Sequence, residues 1–365
     1  MRLATCRVVV KKVVYSIYFT VALFATFYTS NLNIINSNFI KFIAALFLII
    51  LVESLVYVIP SRNRIKIISV TRIDWILIVI QILASLITIY YFDVGSYFMN
   101  ETEIIMNRVS FYSDEHETHQ SILERISRIY TSNFAIISLA LLFSVKGINR
   151  LLRYFSITLI IASLLVLPVV SSSRGTLIAY ILSILFVFLL SKQTDFRVSK
   201  KIQVLGVTLF LYPSYIFLLT ITSARFDGNI VDNILSYIIQ GPLNFINVVF
   251  LNTDTLYGAH AFNWIFVQTF EVYSELSRNL GSGFYSVAGD IYLDFGLASP
   301  IVIFMISFVI RSSFFRGDLG LAELFLIVKI LVFISMGVFV HGRGYLFPWI
   351  MFNIPMFIIL KIARR

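Results

Sequence analysis

The stretch FIKFIAALFLIILVESLVYVI, residues 39–59, decides how this chain folds. It is almost entirely apolar, and a helix needs about 20 mostly apolar residues to cross the hydrocarbon core of a bilayer. Polar residues do not alternate with apolar ones as they would in a barrel strand. A helix satisfies all of its own backbone hydrogen bonds, as a segment in lipid must. The stretch therefore predicts a membrane-spanning helix.

Similar apolar runs recur along the chain. Of its 365 residues, 59% are hydrophobic and 13% are charged, and the mean hydropathy is +0.90. A soluble domain carries about 25% charged residues. We predict an all-α, polytopic integral membrane helical bundle, in which residues 1–365 form a single membrane domain with about ten transmembrane helices. The predicted spans lie near 13–30, 39–59, 74–92, 131–147, 154–170, 176–191, 202–222, 286–310, 321–340 and 345–361.

Basic residues predict the orientation of the chain. Twenty of the 29 lysines and arginines fall in segments that lie on one side of the predicted bundle. These segments are 1–12, 61–72, 146–153, 192–201, 311–316 and 361–365. Because positive charge collects on the cytoplasmic side, both termini are predicted to be cytoplasmic. The net charge of +10 has this explanation, so we expect no nucleic-acid partner.

Two longer segments are predicted to face the other side of the membrane. Residues 93–130 are predicted to be an acidic loop, and residues 223–285 a large loop. Within the large loop, apolar stretches at 234–251 and 259–272 are interrupted by glycine and polar residues. Neither stretch is clean enough to span a bilayer. Amphipathic or re-entrant helices at the outer face are predicted instead.

Nine basic residues lie outside the cytoplasmic segments, and three of them share a setting. Arg174, Arg225 and Arg343 each lie near a predicted outer helix end. Gly175 follows Arg174, and Arg343 lies between two glycines. Arginine binds phosphate oxygens through two parallel hydrogen bonds, and glycine lets backbone N–H groups approach the same anion. We expect the three arginines to converge on a diphosphate. A single arginine that contacts lipid phosphate is the alternative, and it is favoured for Arg278.

Candidate acids and bases lie on the same side. His341 and His260 are possible general bases, because histidine accepts a proton near neutral pH. Asp290 and Asp294 are spaced i,i+4 and share one helix face. They and Asp227 could orient a sugar hydroxyl or pair with an outer arginine. Both interpretations stay open at this stage.

Other chemistry has little support in the sequence. His116 and His119 lie in the acidic loop without a defined third ligand, so no metal site is predicted. The phosphate-binding loop, the hydrolase elbow and the zinc-binding helix motif are all missing, and no cofactor is expected. Glu53 and Lys329 lie inside predicted spans, but two such charges do not make a convincing proton relay.

Three segments resemble the bacterial O-antigen and oligosaccharide repeat-unit polymerases of the Wzy family. Residues 171–176, SSSRGT, look like the family's Ser/Gly-Ser-Arg-Gly element. Residues 237–247 are similar to part of its central outer loop, which begins with an arginine, here Arg225. Residues 290–296, DIYLDFG, look like its Tyr-x-Asp-Phe-Gly segment. The family has another glycine a few residues further on, whereas residues 297–300 of this chain are LASP, which predicts a kink.

The resemblance implies a metal-independent glycosyltransferase. Such enzymes transfer a growing glycan from undecaprenyl diphosphate onto a second lipid-linked repeat unit, at the outer face of the inner membrane. The arginines would hold the departing diphosphate, and His341 would deprotonate the acceptor hydroxyl, with Asp294 or His260 as replacements. Residues expected to position the substrate are Asp290, Tyr292 and Asp227. The expected partners are the lipid-linked oligosaccharide, membrane lipid and a separate chain-length regulator.

Two other functions remain open. An O-antigen ligase uses the same donor with a lipid A-core acceptor, and the short outer loops favour the polymerase over it. A flippase or transporter of the lipid-linked unit would have more spans, a charged central cavity and internal repeats. The unusual charges of this chain gather at the outer edge instead, which also favours the polymerase.

Overall fold

The fold is taken from a computed structural model of the chain. It describes residues 38–60, 68–69, 72–92, 121–146, 148–170, 174–191, 286–315, 320–336 and 349–362, with Lys12, Tyr15, Ser16, Phe19, Thr20, Thr102, Glu103, Met106, Ile216, Gly241, Phe245, Ile246 and Thr255.

Helices account for nearly all of the described residues. They are α1 Asn38–Val56, α2 Arg72–Tyr90, α3 Ile122–Ser144, α4 Arg150–Val170, α5 Arg174–Ser191, α6 Ser286–Phe295, α7 Ser299–Phe314, α8 Leu321–Met336 and α9 Ile354–Ile362. A 3-10 turn, Gly296–Ala298, separates α6 from α7, and a π turn, Trp349–Asn353, precedes α9. The remaining elements are two strands of two residues each, β1 Ile68–Ser69 and β2 Val145–Lys146, which pair in parallel.

Several of these helices have the dimensions of membrane spans. Four are long and apolar enough to cross a bilayer: Phe39–Val56, Ile122–Phe143, Arg150–Val169 and Gly289–Phe314. Three shorter apolar helices are Asp74–Tyr90, Gly175–Val187 and Met351–Ile362. The apolar helices indicate a membrane protein, and the helical fold class is confirmed for the described residues. Most of the predicted spans at 13–30 and 202–222 lies outside them, so the total of ten remains a prediction.

Helix α3 begins earlier than the predicted fourth span. The prediction placed residues 122–130 in the acidic loop, but they form the first turns of the helix. Ser121 caps this start, because its hydroxyl oxygen accepts a hydrogen bond from the backbone N–H of Glu124 at 3.1 Å. Glu124 and Arg128 then form an ion pair one turn apart. The hydropathy of these residues is too low to mark a span, whereas the Ser-x-x-Glu sequence is a helix-start signal.

Burial along α2 is the reverse of that in a soluble helix. Asp74, Gln81, Ser85 and Thr88 lie along one face and are each at most 3% exposed. Large apolar residues occupy the other faces and are 37% to 56% exposed: Trp75, Ile76, Val79, Ile80, Leu83 and Leu86. Polar side chains inside and apolar ones outside suit a helix surrounded by lipid.

Contacts divide the chain into two compact units. The first unit contains Met1–Arg64, Ile234–Leu319 and Lys329–Ile358. The second unit contains Ile65–Asn233, Gly320–Val328 and Ile359–Arg365.

In the second unit, helices α2 to α5 pack on one another. Strand β1 precedes α2 and strand β2 follows α3, and their pairing joins Ile68 to Val145 and Ser69 to Lys146. The beginning of α2 therefore lies beside the end of α3. Positive-inside reasoning predicts that the basic segments 61–72 and 146–153 share one side of the membrane. The pairing places Ser69 and Lys146, one residue from each segment, at one end of the unit.

In the first unit, α1 and α7 pack side by side and run in the same direction. Tyr57, just past the end of α1, contacts Phe304 of α7, with ring centroids 4.7 Å apart. Arg311, near the end of α7, donates a hydrogen bond of 3.3 Å to the Tyr57 carbonyl, and its guanidinium lies 4.8 Å from the Tyr57 ring centroid. Two predicted spans that both enter from the outer face are expected to be parallel in this way.

The break between α6 and α7 centres on Gly296. This glycine has φ of 53°, the left-handed region that favours glycine. The Ser299 hydroxyl donates a hydrogen bond to the Gly296 carbonyl. Pro300 lies in the first turn of α7, where its missing N–H costs nothing. The predicted interruption is therefore present, but Gly296 makes it and the proline starts the next helix.

Candidate functional site

Helix α6 carries three of the predicted site residues and lies in the interior of the first unit. Asp290 and Asp294 are both 0% exposed, and Tyr292 is 5% exposed. The two carboxylates are separated by one helical turn, with the 3-10 break directly after Asp294. A carboxylate removed from water is costly, so two buried carboxyl groups on one short helix mark a candidate functional position.

The Tyr292 ring fixes α6 to two other segments of the chain. Its centroid lies 5.4 Å from that of Phe47 on α1 and 5.5 Å from that of Phe245, and both pairs are edge-to-face. Phe47 and Phe245 also stack, with centroids 6.5 Å apart. Phe245 belongs to the segment 237–247, and Tyr292 belongs to the segment 290–296. Two of the three segments that carry the family resemblance therefore pack together.

A second residue of the predicted large loop approaches the helix break. The Thr255 methyl carbon lies 2.8 Å from the position that a Cβ on Gly296 would occupy. Gly241 and Ile246, from the same loop, are buried as well. Thr255 therefore lies beside the break that follows Asp294.

Lys41 supplies a buried positive charge in the same unit. It is 5% exposed and lies on the face of α1 that also carries Ala45 and Leu48, which belong to the hydrophobic cluster around Tyr292. Lys41, Asp290 and Asp294 each have an interaction partner. A buried charged group with no partner at all would be costly, and none of these three is in that position.

The predicted diphosphate-binding element begins α5 in the second unit. Arg174 is the first residue of this helix. A Cβ added to Gly175 would meet no atom within 4 Å. Packing therefore does not require glycine at position 175, and the space beside its backbone is open to an approaching anion.

Five predicted site residues lie outside the described part of the chain: His341, His260, Arg225, Arg343 and Asp227. The expected convergence of Arg174, Arg225 and Arg343 on one diphosphate therefore remains a prediction. Among the residues that the structure does describe, no group of three or more histidine, cysteine, aspartate or glutamate side chains could hold a metal ion.

The sequence predicts no role for three described residues of this unit: Phe245, Lys41 and Thr255. Phe245 lies in the segment 237–247 that resembles the polymerase family. Its aromatic side chain, shortly after Gly-Pro, is the sequence feature that could have marked it. Lys41 was one of nine basic residues outside the cytoplasmic segments, and its place on the apolar face of α1 could have marked it as buried. Nothing in the sequence marked Thr255.

Comparisons with protein-family models, with curated proteins and with solved structures found no match for this chain.

Proposed function

We propose that this chain is a surface-polysaccharide (O-antigen) polymerase with about ten transmembrane helices and both termini in the cytoplasm. It transfers a growing glycan from undecaprenyl diphosphate to a lipid-linked repeat unit, at the outer face of a bacterial inner membrane. One observation carries the proposal: Asp290 and Asp294 are fully buried, one turn apart, before a helix break that Thr255 of the predicted outer loop approaches.

Asp294 is the proposed general base. Its carboxylate accepts the proton of the acceptor hydroxyl while the hydroxyl oxygen attacks the anomeric carbon of the donor glycan. The bond from that carbon to the diphosphate oxygen breaks, and undecaprenyl diphosphate leaves with the electron pair. His341 and His260 are the alternative bases. Asp290 holds a sugar hydroxyl beside the reacting one, and Tyr292 positions α6 through its ring contacts.

Arg174, Arg225 and Arg343 are the proposed diphosphate ligands. Negative charge grows on the departing diphosphate as the glycosidic bond breaks. Guanidinium groups that are already in place stabilise this charge without reorganising. No nucleotide or metal is needed, because the diphosphate is itself a good leaving group.

Access to the carboxylates needs a movement of their cover. Asp294 has no exposed surface, so an acceptor hydroxyl can reach it only when the residues packed around it move. The proposal therefore includes a local opening around α6 before each transfer, as is common where catalysis excludes water.

Substitution of the carboxylates tests the proposal. In a strain that lacks the native gene, we expect Asp294→Asn to reduce long-chain glycan by about 100-fold or more, the usual contribution of a general base. Asp290→Asn should shorten the chains. The matched control is Glu53→Gln, which removes an exposed carboxylate from the candidate span that contains it. A normal glycan ladder with Asp294→Asn, at normal protein accumulation, contradicts the proposed base.

A further inference from the structure

An apolar cleft lies within the first unit, between residues of the first predicted span and the last turns of α1. Its volume is about 240 Å³, and it is lined by Tyr15, Ser16, Phe19, Ile49 and Val52. Val52 is 1% exposed, whereas Phe19 is 53% exposed. The cleft is therefore closed at Val52 and open beside Phe19, toward the surroundings of the protein.

Both walls of the cleft belong to apolar segments. Ile49 and Val52 lie in the last two turns of Phe39–Val56, which is long and apolar enough to cross a bilayer. The opposite wall is formed by helical residues of the predicted span 13–30. In a membrane, the cleft therefore opens into the hydrocarbon close to one edge of the bilayer, where the upper part of a lipid acyl chain lies.

Lys12 places a positive charge at the same edge. It is helical and exposed, and it immediately precedes the predicted span. Among the described residues, no carboxylate forms an ion pair with it. Lys12, Ser16 and Phe19 have the spacing of one helix face and cover about 10 Å at 1.5 Å per residue. A charge, a hydroxyl and the apolar cleft thus follow one another from the membrane edge inward.

We propose that this cleft binds a membrane phospholipid, with the lipid phosphate against Lys12 and part of one acyl chain beside Phe19 and Val52. Charge complementarity identifies the occupant, because the phosphate is the negative group at the edge of a bilayer. Residues 1–12 carry four basic side chains and no acidic one. Such basic segments next to a membrane helix attract anionic lipid headgroups.

The shape of the site suits this ligand. The apolar stem of a lysine can lie along a helix while its ammonium group reaches the phosphate level. Glu53 follows Val52 in the sequence but lies about 100° around α1, and it does not line the cleft. The carboxylate nearest in sequence to Val52 is therefore not part of the lining that would receive the acyl chain.

The test measures phosphatidylglycerol bound to the purified full-length protein in detergent, by native mass spectrometry over a range of lipid concentrations. We expect one lipid to bind more tightly than the rest. Lys12→Gln should weaken that binding about fivefold, which corresponds to about 1 kcal/mol for one basic residue at a membrane surface. Arg150→Gln is the matched control, because Arg150 is an exposed residue at the start of α4 in the second unit.

Filling the cleft tests the contact with the acyl chain. Ser16→Trp introduces a large side chain at the cleft from an exposed position, so it should remove the tightest lipid while the protein stays folded. Ile43→Trp is the control, because Ile43 is exposed on α1 and lies nine residues, or half a revolution, from Val52. Thermal unfolding midpoints check the fold, and Lys12→Gln decides alone if Ser16→Trp lowers the midpoint.

Unchanged lipid affinity in Lys12→Gln, or in a folded Ser16→Trp variant, overturns the proposal. Equal losses in Arg150→Gln and Ile43→Trp overturn it as well. Preferential binding of undecaprenyl phosphate assigns the cleft to an isoprenoid lipid, and a dimer disrupted by Ser16→Trp assigns it to a second copy of the chain; both results contradict the phospholipid. None of these measurements depends on the glycan ladder, so they stand apart from the test of the polymerase.

Discussion

Phe245 lies edge-on against Tyr292, with ring centroids 5.5 Å apart and an angle of 88° between the ring planes. One residue comes from the predicted outer loop and the other from the helix that carries both buried carboxylates. Phe245 is 0% exposed, so the contact is part of the core of the first unit. It makes the position of the outer loop and the position of α6 depend on each other.

Truncating Phe245 should therefore loosen α6. We expect Phe245→Ala to lower the free energy of unfolding by about 3–5 kcal/mol, the usual cost of emptying a buried phenylalanine site. Phe308→Ala is the control, because Phe308 is 52% exposed on α7 and its removal leaves no cavity. Thermal unfolding in detergent measures both variants. Equal midpoints for the two would show that the Phe245 contact does not hold the unit together.

Two glycines should respond oppositely to alanine. Gly296→Ala is expected to destabilise the protein by about 1–3 kcal/mol, because of its positive φ and the close Thr255 methyl group. Gly175→Ala meets open space in a helix, where alanine is favoured by up to about 1 kcal/mol. If Gly175→Ala is stable but makes less long-chain glycan, its backbone approaches a ligand. A Gly296→Ala variant as stable as the native protein would contradict the helix break.

The polar interior of the second unit gives a further prediction. The Gln81 amide donates to Ser85 at 3.1 Å, the hydroxyls of Ser85 and Ser163 hydrogen-bond at 3.0 Å, and the Gln81 carbonyl oxygen has no partner. Gln81→Leu removes an unsatisfied acceptor, so we expect no loss of stability. Ser85→Ala should cost about 1–3 kcal/mol, because it leaves the Gln81 amide without its acceptor. The midpoint of thermal unfolding measures the stability of both variants. An equal loss of stability in the two would contradict this hydrogen-bond network.

The role of Arg174 predicts a difference between two substitutions. Arg174→Ala should abolish long-chain glycan while the protein still accumulates in the membrane. Arg174→Lys should retain part of it, since lysine keeps the charge but cannot form the bidentate contact. Gel electrophoresis of surface glycan measures both. The same ladder from the two variants, or a normal ladder from Arg174→Ala, would count against a phosphate contact.

Much of the helical arrangement follows from apolar run length. The predicted span 39–59 corresponds to Asn38–Val56, and the predicted span 154–170 to Arg150–Val170. Residues 122–130 were misplaced because run length does not detect a capped, amphipathic first turn. A helix-start motif must be weighed beside hydropathy at such boundaries.

The candidate site could be predicted only in part. The i,i+4 spacing of Asp290 and Asp294 placed them on one helix face, but their complete burial depends on tertiary packing. The contact of Phe245 with Tyr292 joins segments far apart in the chain, and helix periodicity carries no information about such pairs. The approach of Thr255 to Gly296 also joins residues far apart in the chain, so helix periodicity does not predict it either.

The most direct test of the proposed function is the surface glycan made after deletion of this gene, resolved by chain length on a gel. A polymerase joins repeat units but is not needed to transport or attach a single one. We predict that the long-chain ladder disappears while lipid A-core with one repeat unit remains. A complete loss of repeat units would indicate a flippase or a ligase, and an unchanged ladder would exclude the polymerase; either result contradicts the proposal.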